Sequence, residues 1–285
     1  MNGAAFPIRR LKSKRSLAFM LQPETFYDYS IHSLLGEGDI AIVYRAMNRL
    51  SGQQVALKML RLDSPVPESR AYFDNERVIL AQLKHPNIPT LYKYIDGETP
   101  CLALTLIEGK DGETLLAELP AGAFLSARSV IEWGIQIADA LACLHNHHPP
   151  LVFRDLKPSH MIVDGDSRAW LVDFNLAKIV PESKVLHDAD LMGTEGFAAP
   201  EQYQGTVSPL VDVYALGATL HYLLTRINPR HERRFTYAPP RSVNPVIPKS
   251  AEQVIMKALA YEPEDRYEQI EGMRDILKDV LTAES

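Results

Sequence analysis

Two aspartates in this chain sit where a carboxylate could take a proton or hold a cation. Both lie in the stretch 152–175, VFRDLKPSHMIVDGDSRAWLVDFN. Asp155 falls between Arg154 and Lys157. Neighbouring cations favour the ionised carboxylate, so Asp155 is expected to stay charged and able to accept a proton. Asp173 directly follows Leu171 and Val172. A strand there would fix its backbone while the side chain points out of the sheet. Two other polar residues, Lys58 and Glu76, sit in apolar surroundings upstream. Lys58 ends the run Val55-Ala56-Leu57, and Glu76 lies within AYFDNERVILAQL. Taken singly, each is read as a solvated side chain.

The elements that must hold these residues follow from pattern. Residues 161–163 and 169–172 are apolar strand-like runs, and Asp164-Gly165-Asp166-Ser167 between them is turn chemistry. The layout reads as a hairpin that brings a loop aspartate and a strand-end aspartate to one mouth. Upstream, 29–35, 42–47 and 54–60 read as three strands, with Gly36-Glu37-Gly38 in the first turn. Glycine there lets backbone N–H groups approach phosphate oxygens, although any tight hairpin uses glycine too. Phe73, Val78, Leu80 and Leu83 mark a helix over 71–83, and His85-Pro86 ends it. Residues 102–107 form a buried strand, and Lys110-Asp111-Gly112-Glu113 reads as a short loop insertion. A long amphipathic helix spans 126–145, capped by Ser126. His145, His147 and His148 cluster at its end, where cations are favoured without any metal. Residues 211–224 are apolar on nearly every face and read as a buried helix. Residues 228–245 read as an Arg- and Pro-rich loop, followed by helices over 251–259 and 267–281.

Bulk properties narrow the function classes. A chain of 285 residues can bury a sizeable core. Its net charge of −6 does not point to nucleic acid. Cys101 and Cys143 are far apart, without metal-type spacing, so a reducing cytoplasmic setting is expected. No apolar run approaches the roughly 18–20 residues needed to span a membrane. The run 17–21 is too short for a signal-peptide core, and the basic residues from Arg9 to Arg15 read as a solvated tail.

Phe153-Arg154-Asp155-Leu156-Lys157-Pro158, taken with Asp173-Phe174-Asn175, resembles the catalytic and metal-binding loops of the protein kinases. The nearest likeness is to bacterial Ser/Thr kinases of the eukaryotic-like type, and it covers nearly the whole chain. The resemblance implies an α+β, two-lobed protein-kinase fold. A small antiparallel-sheet lobe with one helix would occupy 26–104, and a large, mainly helical lobe 105–285, after a basic tail at 1–25. It also implies ATP with Mg²⁺ or Mn²⁺, and a protein Ser or Thr hydroxyl as acceptor. Asp155 would orient that hydroxyl and take its proton, and Lys157 would steady the transferred group. Lys58 would hold the α/β-phosphates, with Glu76 holding Lys58. Thr194, in Gly193-Thr194-Glu195-Gly196-Phe197-Ala198-Ala199-Pro200-Glu201, would bond Asp155 and Lys157. Gly36 and Gly38 would cover the phosphates, with Ala41 in place of a third glycine. Backbone groups from Thr105 to Ile107 would meet the adenine edge, and Val43, Ala56 and Ile162 would clamp its faces. Asp212 would brace the catalytic loop, Arg266 would pair with Glu201, and Phe153 would stack with Phe174, Leu80 and Leu91. In the segment before Thr194, Asp188 or Asp190 would stand in for a phosphate, with Ser183 the other hydroxyl.

Two letters depart from the family pattern. Asp173 is the expected metal ligand, but His160 stands where Asn would offer an oxygen to a second ion. Imidazole suits Mn²⁺, Zn²⁺ or Fe²⁺ better than Mg²⁺. A metal contact weakened by ~2–4 kcal/mol slows transfer about 30- to 1000-fold. Asn175 stands where Gly is expected and is suited to a left-handed backbone. These letters allow two functions: a slow or Mn²⁺-preferring Ser/Thr kinase, or a pseudokinase that binds nucleotide or a partner and acts as a signalling scaffold.

Overall fold

The computed structural model describes residues 25–181, 185–187 and 193–283. The tail at 1–24 and Ser183, Asp188 and Asp190 lie outside the described residues. The chain divides into two compact units. One runs to Gln82 and includes Pro89–Ile107; the other holds Leu83–Ile88 and everything from Glu108 onward.

The first unit is an antiparallel sheet of six strands: β1 Thr25–Phe26, β2 Tyr29–Glu37, β3 Ala41–Asn48, β4 Gln54–Leu60, β5 Leu91–Ile95 and β6 Cys101–Thr105. Their order is β1-β2-β3-β4-β6-β5. Alternate residues of β2, β3, β4 and β6 bury Tyr29, Ile42, Tyr44, Val55, Leu57 and Ala103 in one apolar cluster. Among the described residues the one helix of this unit is α1, Ser69–Leu80. It buries Phe73, Ile79 and Leu80 together with the charged Glu76. Val78 faces solvent and Leu83 falls beyond the helix end, so the buried stripe differs from the one expected.

The second unit is mainly helical. Helix α3, Ala127–His145, is capped by the Ser126 hydroxyl, which accepts from the Ser129 amide. It packs against α4, Pro209–Thr225, whose residues are buried on every face from Val211 to Thr225. Helices α6, Lys249–Ala258, and α7, Ile270–Ala283, complete the packing, and a single turn, α5 Pro240–Val243, interrupts the expected loop. Residues 109–117 correct the loop expected at 110–113. They form β7, Gly109–Asp111, and α2, Gly112–Ala117. The turn-like letters serve other purposes there. Asp111 caps α2 by accepting from the Thr114 amide at 2.8 Å. A side chain at Gly109 would collide with the Val163 backbone, which β7 approaches in pairing with β9, Met161–Asp164, the strand that follows the short β8, Leu151–Val152.

Glu201 and Arg266 form a buried bidentate pair at 2.6 and 2.8 Å. Arg266 also donates to the carbonyls of Leu210, Ala260 and Tyr261, so that with Glu201 each of its N–H groups has a partner. Removing one side of such a pair strands the other charge in the interior. Arg266→Ala is therefore expected to cost about 3–5 kcal/mol in urea denaturation, and a loss below about 1 kcal/mol would contradict this account.

Candidate active site

The catalytic-loop acid is held by geometry that begins one helix away. Asp212, in the first turn of α4, is fully buried. Its Oδ2 accepts from the Phe153 amide and its Oδ1 from the Arg154 amide, both at 2.8 Å. His145 Nε2, at the end of α3, makes a third contact at 2.9 Å. Arg154 takes a left-handed backbone with φ of 73°, and its carbonyl accepts from Gln202 Nε2 at 3.0 Å. The loop is thus clamped from both sides where its backbone is least favourable. Phe153 fills the interior below it, edge-on to Phe174 with ring centroids 5.1 Å apart.

Asp155 emerges from this clamp into a closed set of partners. Lys157 Nζ donates to Asp155 Oδ2 at 2.7 Å and to Thr194 Oγ1 at 2.7 Å. The Thr194 hydroxyl in turn donates to Asp155 Oδ1 at 2.6 Å. All three side chains are buried. Gly193, just before, has φ of 136°, and a side chain there would meet Ala198 at 2.8 Å. The segment can deliver Thr194 to this position only through glycine.

Asp173 and His160 form the adjoining pair. The Val172 amide donates to the His160 carbonyl at 3.0 Å, which ties the strand end to the catalytic loop. Asp173 itself is left-handed, φ 70°. This corrects the expectation placed on Asn175, which is not among the residues of positive φ. His160 Nδ1 lies 2.8 Å from the Asp155 carbonyl oxygen. A carbonyl only accepts, so Nδ1 carries the hydrogen and Nε2 keeps a lone pair. Burial, reinforced by Lys157, holds the imidazole below its ordinary pKa, against the pull of Asp155 and Asp173. Nε2 of this neutral ring faces Asp173 Oδ2 at 3.4 Å. Two electron-pair donors cannot bond each other. Two donors sharing one divalent ion stand roughly 3–3.5 Å apart, so the pair fits a cation.

Within the first unit, Lys58 and Glu76 are in contact at 2.5 Å and both are buried. Lys58 is on β4, opposite Val43 of β3 and Leu102 of β6. Ala56 is buried on the same strand. Gly36 pairs with Val43, and a side chain at Gly36 would meet nothing within 4 Å. At Gly38 the nearest atom would be the Ala41 carbonyl at 3.5 Å. Neither glycine has a left-handed backbone. Nothing inside the unit demands glycine at these positions. The Thr105 amide donates to the Thr90 carbonyl at 3.0 Å, which leaves its carbonyl as the group it can offer an adenine edge. Ile162 belongs to the second unit, on β9 opposite Asp111.

Sequence reasoning passed over three supporting residues. Gln202 bridges the Ala199 amide and the Arg154 carbonyl, His145 serves Asp212, and Asn87 ties the Ala169 carbonyl at 2.7 Å. No spacing rule marks Gln202. His145 was visible only as a helix-end histidine, and Asn87 only as part of a helix-ending string. Asp212→Ala should leave the Phe153 and Arg154 amides without their buried acceptor, where each bond to a charged group is worth about 1.5–3 kcal/mol. Exchange of those two amides with solvent deuterium is expected to rise at least about 10-fold, and unchanged exchange would show that the brace is dispensable.

The family described as the protein kinase domain matches residues 29–281. A serine/threonine-protein kinase, PrkC, of Bacillus subtilis is 30% identical over 269 residues, covering 90% of this chain and 41% of that protein. A probable serine/threonine-protein kinase of Streptomyces coelicolor is 31% identical, covering 86% of this chain and 39% of that protein. PknH of Mycobacterium bovis, also a serine/threonine-protein kinase, is 30% identical over 85% of this chain and 42% of its own length. The chain thus spans about two fifths of the length of these relatives. With the match running from the first long strand to the last helix, the chain belongs to the protein kinase domain family.

Proposed function

We propose that this chain is a Ser/Thr protein kinase that transfers the γ-phosphoryl group of ATP to a protein hydroxyl. The observation that carries the reading is the buried Asp155–Lys157–Thr194 set, a proton acceptor held beside a cation and a hydroxyl. A Ser or Thr hydroxyl placed at Asp155 is oriented by the carboxylate as its oxygen attacks the γ-phosphorus. The new O–P bond forms while the bond from phosphorus to the β-phosphate bridging oxygen breaks. ADP leaves with that electron pair, and Asp155 takes the hydroxyl proton. Lys157 balances the charge that gathers on the transferred group. In the first unit, Lys58 meets the α/β-phosphates with Glu76 fixing its direction, and the Gly36–Gly38 turn leaves space for phosphate oxygens. Val43 and Ala56 there present apolar faces to the adenine. Such catalysis needs position and charge compensation more than covalent chemistry.

Asp173 and His160 would hold the divalent ion, which would supply charge neutralisation on the phosphates. Their mixed oxygen and nitrogen donors favour Mn²⁺ over Mg²⁺. The intact contacts of Asp155, Lys58 and Glu76 favour an active enzyme over a nucleotide-binding scaffold. A cytoplasmic setting is supported by two free thiols, Cys101 and Cys143. Among the described residues no helix is long and apolar enough to cross a membrane.

Labelled ATP tests the reading. Asp155→Asn should lower phosphoryl transfer about 10²–10⁴-fold while the thermal shift with nucleotide persists. Equal transfer by this variant would refute the assignment. His160→Asn should move the metal preference from Mn²⁺ toward Mg²⁺ in the same assay; an unchanged ratio of rates in the two ions would remove His160 from the metal site. Gly36→Ala should raise the KM for ATP severalfold with stability nearly unchanged. If instead it unfolds the protein, the glycine serves the fold and not the phosphates.

A further inference from the structure

Beside Thr194 the loop that follows α4 folds back over residues 193–201, the end of the activation segment. A shallow hollow forms there, lined by Gly196, Tyr203, Pro229, Arg233, Arg234 and Phe235. Every one of these residues belongs to the second unit. The floor is aromatic. Tyr203 and Phe235 meet edge to face at 5.6 Å between centroids, as do Phe235 and Tyr261. The rim is cationic. Arg234 lies 5.3 Å over the Tyr203 ring and donates to Glu195 at 2.6 and 3.0 Å. Its charge is compensated, and it covers the ring face that would otherwise attract a substrate cation.

Arg233 differs. It is exposed and has no carboxylate partner among the described residues. Glu232 beside it is also exposed and pairs with neither arginine. The rim therefore carries two guanidinium groups, Arg234 engaged by Glu195 and Arg233 without a carboxylate partner among the described residues.

The hollow stands at a fixed distance from the chemistry. Gly196 is two residues beyond Thr194, whose hydroxyl touches Asp155. Two residues span at most about 7 Å. Gly196 cannot drift: its φ is 85°, and a side chain there would strike the backbone of Pro229 and Arg230 at 2.8 Å. Its carbonyl also accepts from the Tyr237 hydroxyl at 2.7 Å. An extended peptide advances about 3.3 Å per residue, so with its acceptor at Asp155 it reaches this rim about two to four residues along.

We propose that Arg233, at the rim of the hollow floored by Tyr203 and Phe235, is a specificity-determining residue that selects protein substrates carrying Asp or Glu two to four residues from the acceptor. The proposal rests on the kinase reading above. A guanidinium offers a carboxylate two parallel hydrogen bonds, and a lysine or arginine in the same place meets like charge.

The test is a peptide series with one acceptor in a neutral background. Glu or Lys is placed in turn at each of the four positions on either side. Initial rates and binding by fluorescence anisotropy are measured together. Glu at two to four residues on one side should lower KM and tighten binding about fivefold relative to Lys, with kcat unchanged, the size expected of an exposed charge contact. Arg233→Glu should reverse that preference and leave the neutral peptide and the KM for ATP unaltered. The side chain is exposed, and a thermal melt checks that the variant is folded. Indifference of the wild type to charge in both readouts, or a Glu preference that survives Arg233→Glu, overturns the proposal. Absence of transfer to any peptide would count against the kinase reading alone, because the anisotropy still judges the pocket.

Discussion

A single buried carboxylate governs the geometry of the second unit. Asp212 is removed from water, so its charge must be met by donors, and three converge on it: two backbone amides of the catalytic loop and the imidazole of His145. An unsatisfied ion in that place would be far costlier than the left-handed turn at Arg154 that the arrangement requires. The loop is therefore shaped by the demand of the acid beneath it. Gln202 completes the clamp from the opposite side, through the same carbonyl that the turn exposes. Asp155 inherits its direction from this clamp and needs no contact with α4 itself.

Other buried charges follow the same logic. Lys58 with Glu76, and Glu201 with Arg266, are each enclosed with a partner of opposite sign. Such pairs add modest stability over an apolar core, yet they penalise loss of either member severely. They specify where the backbone must be. Glu201 and Arg266 hold the far end of the activation segment, while Gly193 and Gly196 admit the tight passages between its anchors. The strand pair Leu186–His187 with Thr206–Val207 adds a main-chain tie to the same segment. Thr194 is thereby delivered to Asp155 by contacts made of hydrogen bonds and ion pairs within the described residues.

His160 changes the electronic character of the site without disturbing its frame. Its main chain keeps the ladder contact with Val172, and its ring keeps the loop carbonyl of Asp155 as a partner. What changes is the atom turned toward Asp173, a nitrogen lone pair in place of an amide oxygen. The ring is kept neutral by burial and by the neighbouring ammonium of Lys157. A neutral imidazole remains a competent ligand for borderline metals.

Much of this was legible in the letters. The hairpin that carries Asp155 and Asp173 was marked by two apolar runs around Asp164-Gly165-Asp166-Ser167, because strand period and turn chemistry are local properties. The buried helix 211–224 was marked by its lack of a polar face. Residues 110–113 were misread because Gly and Asp signal a turn equally well when they serve a cap or a close backbone approach. The left-handed position at Asp173, and not Asn175, was invisible because backbone strain is imposed by the surroundings. By itself the sequence determined which residue types could do the chemistry and the elements on which they ride. Only the tertiary structure decided which lone pair of His160 faces Asp173, and which donors reach Asp212 or Asp155, since these depend on contacts between residues tens of positions apart.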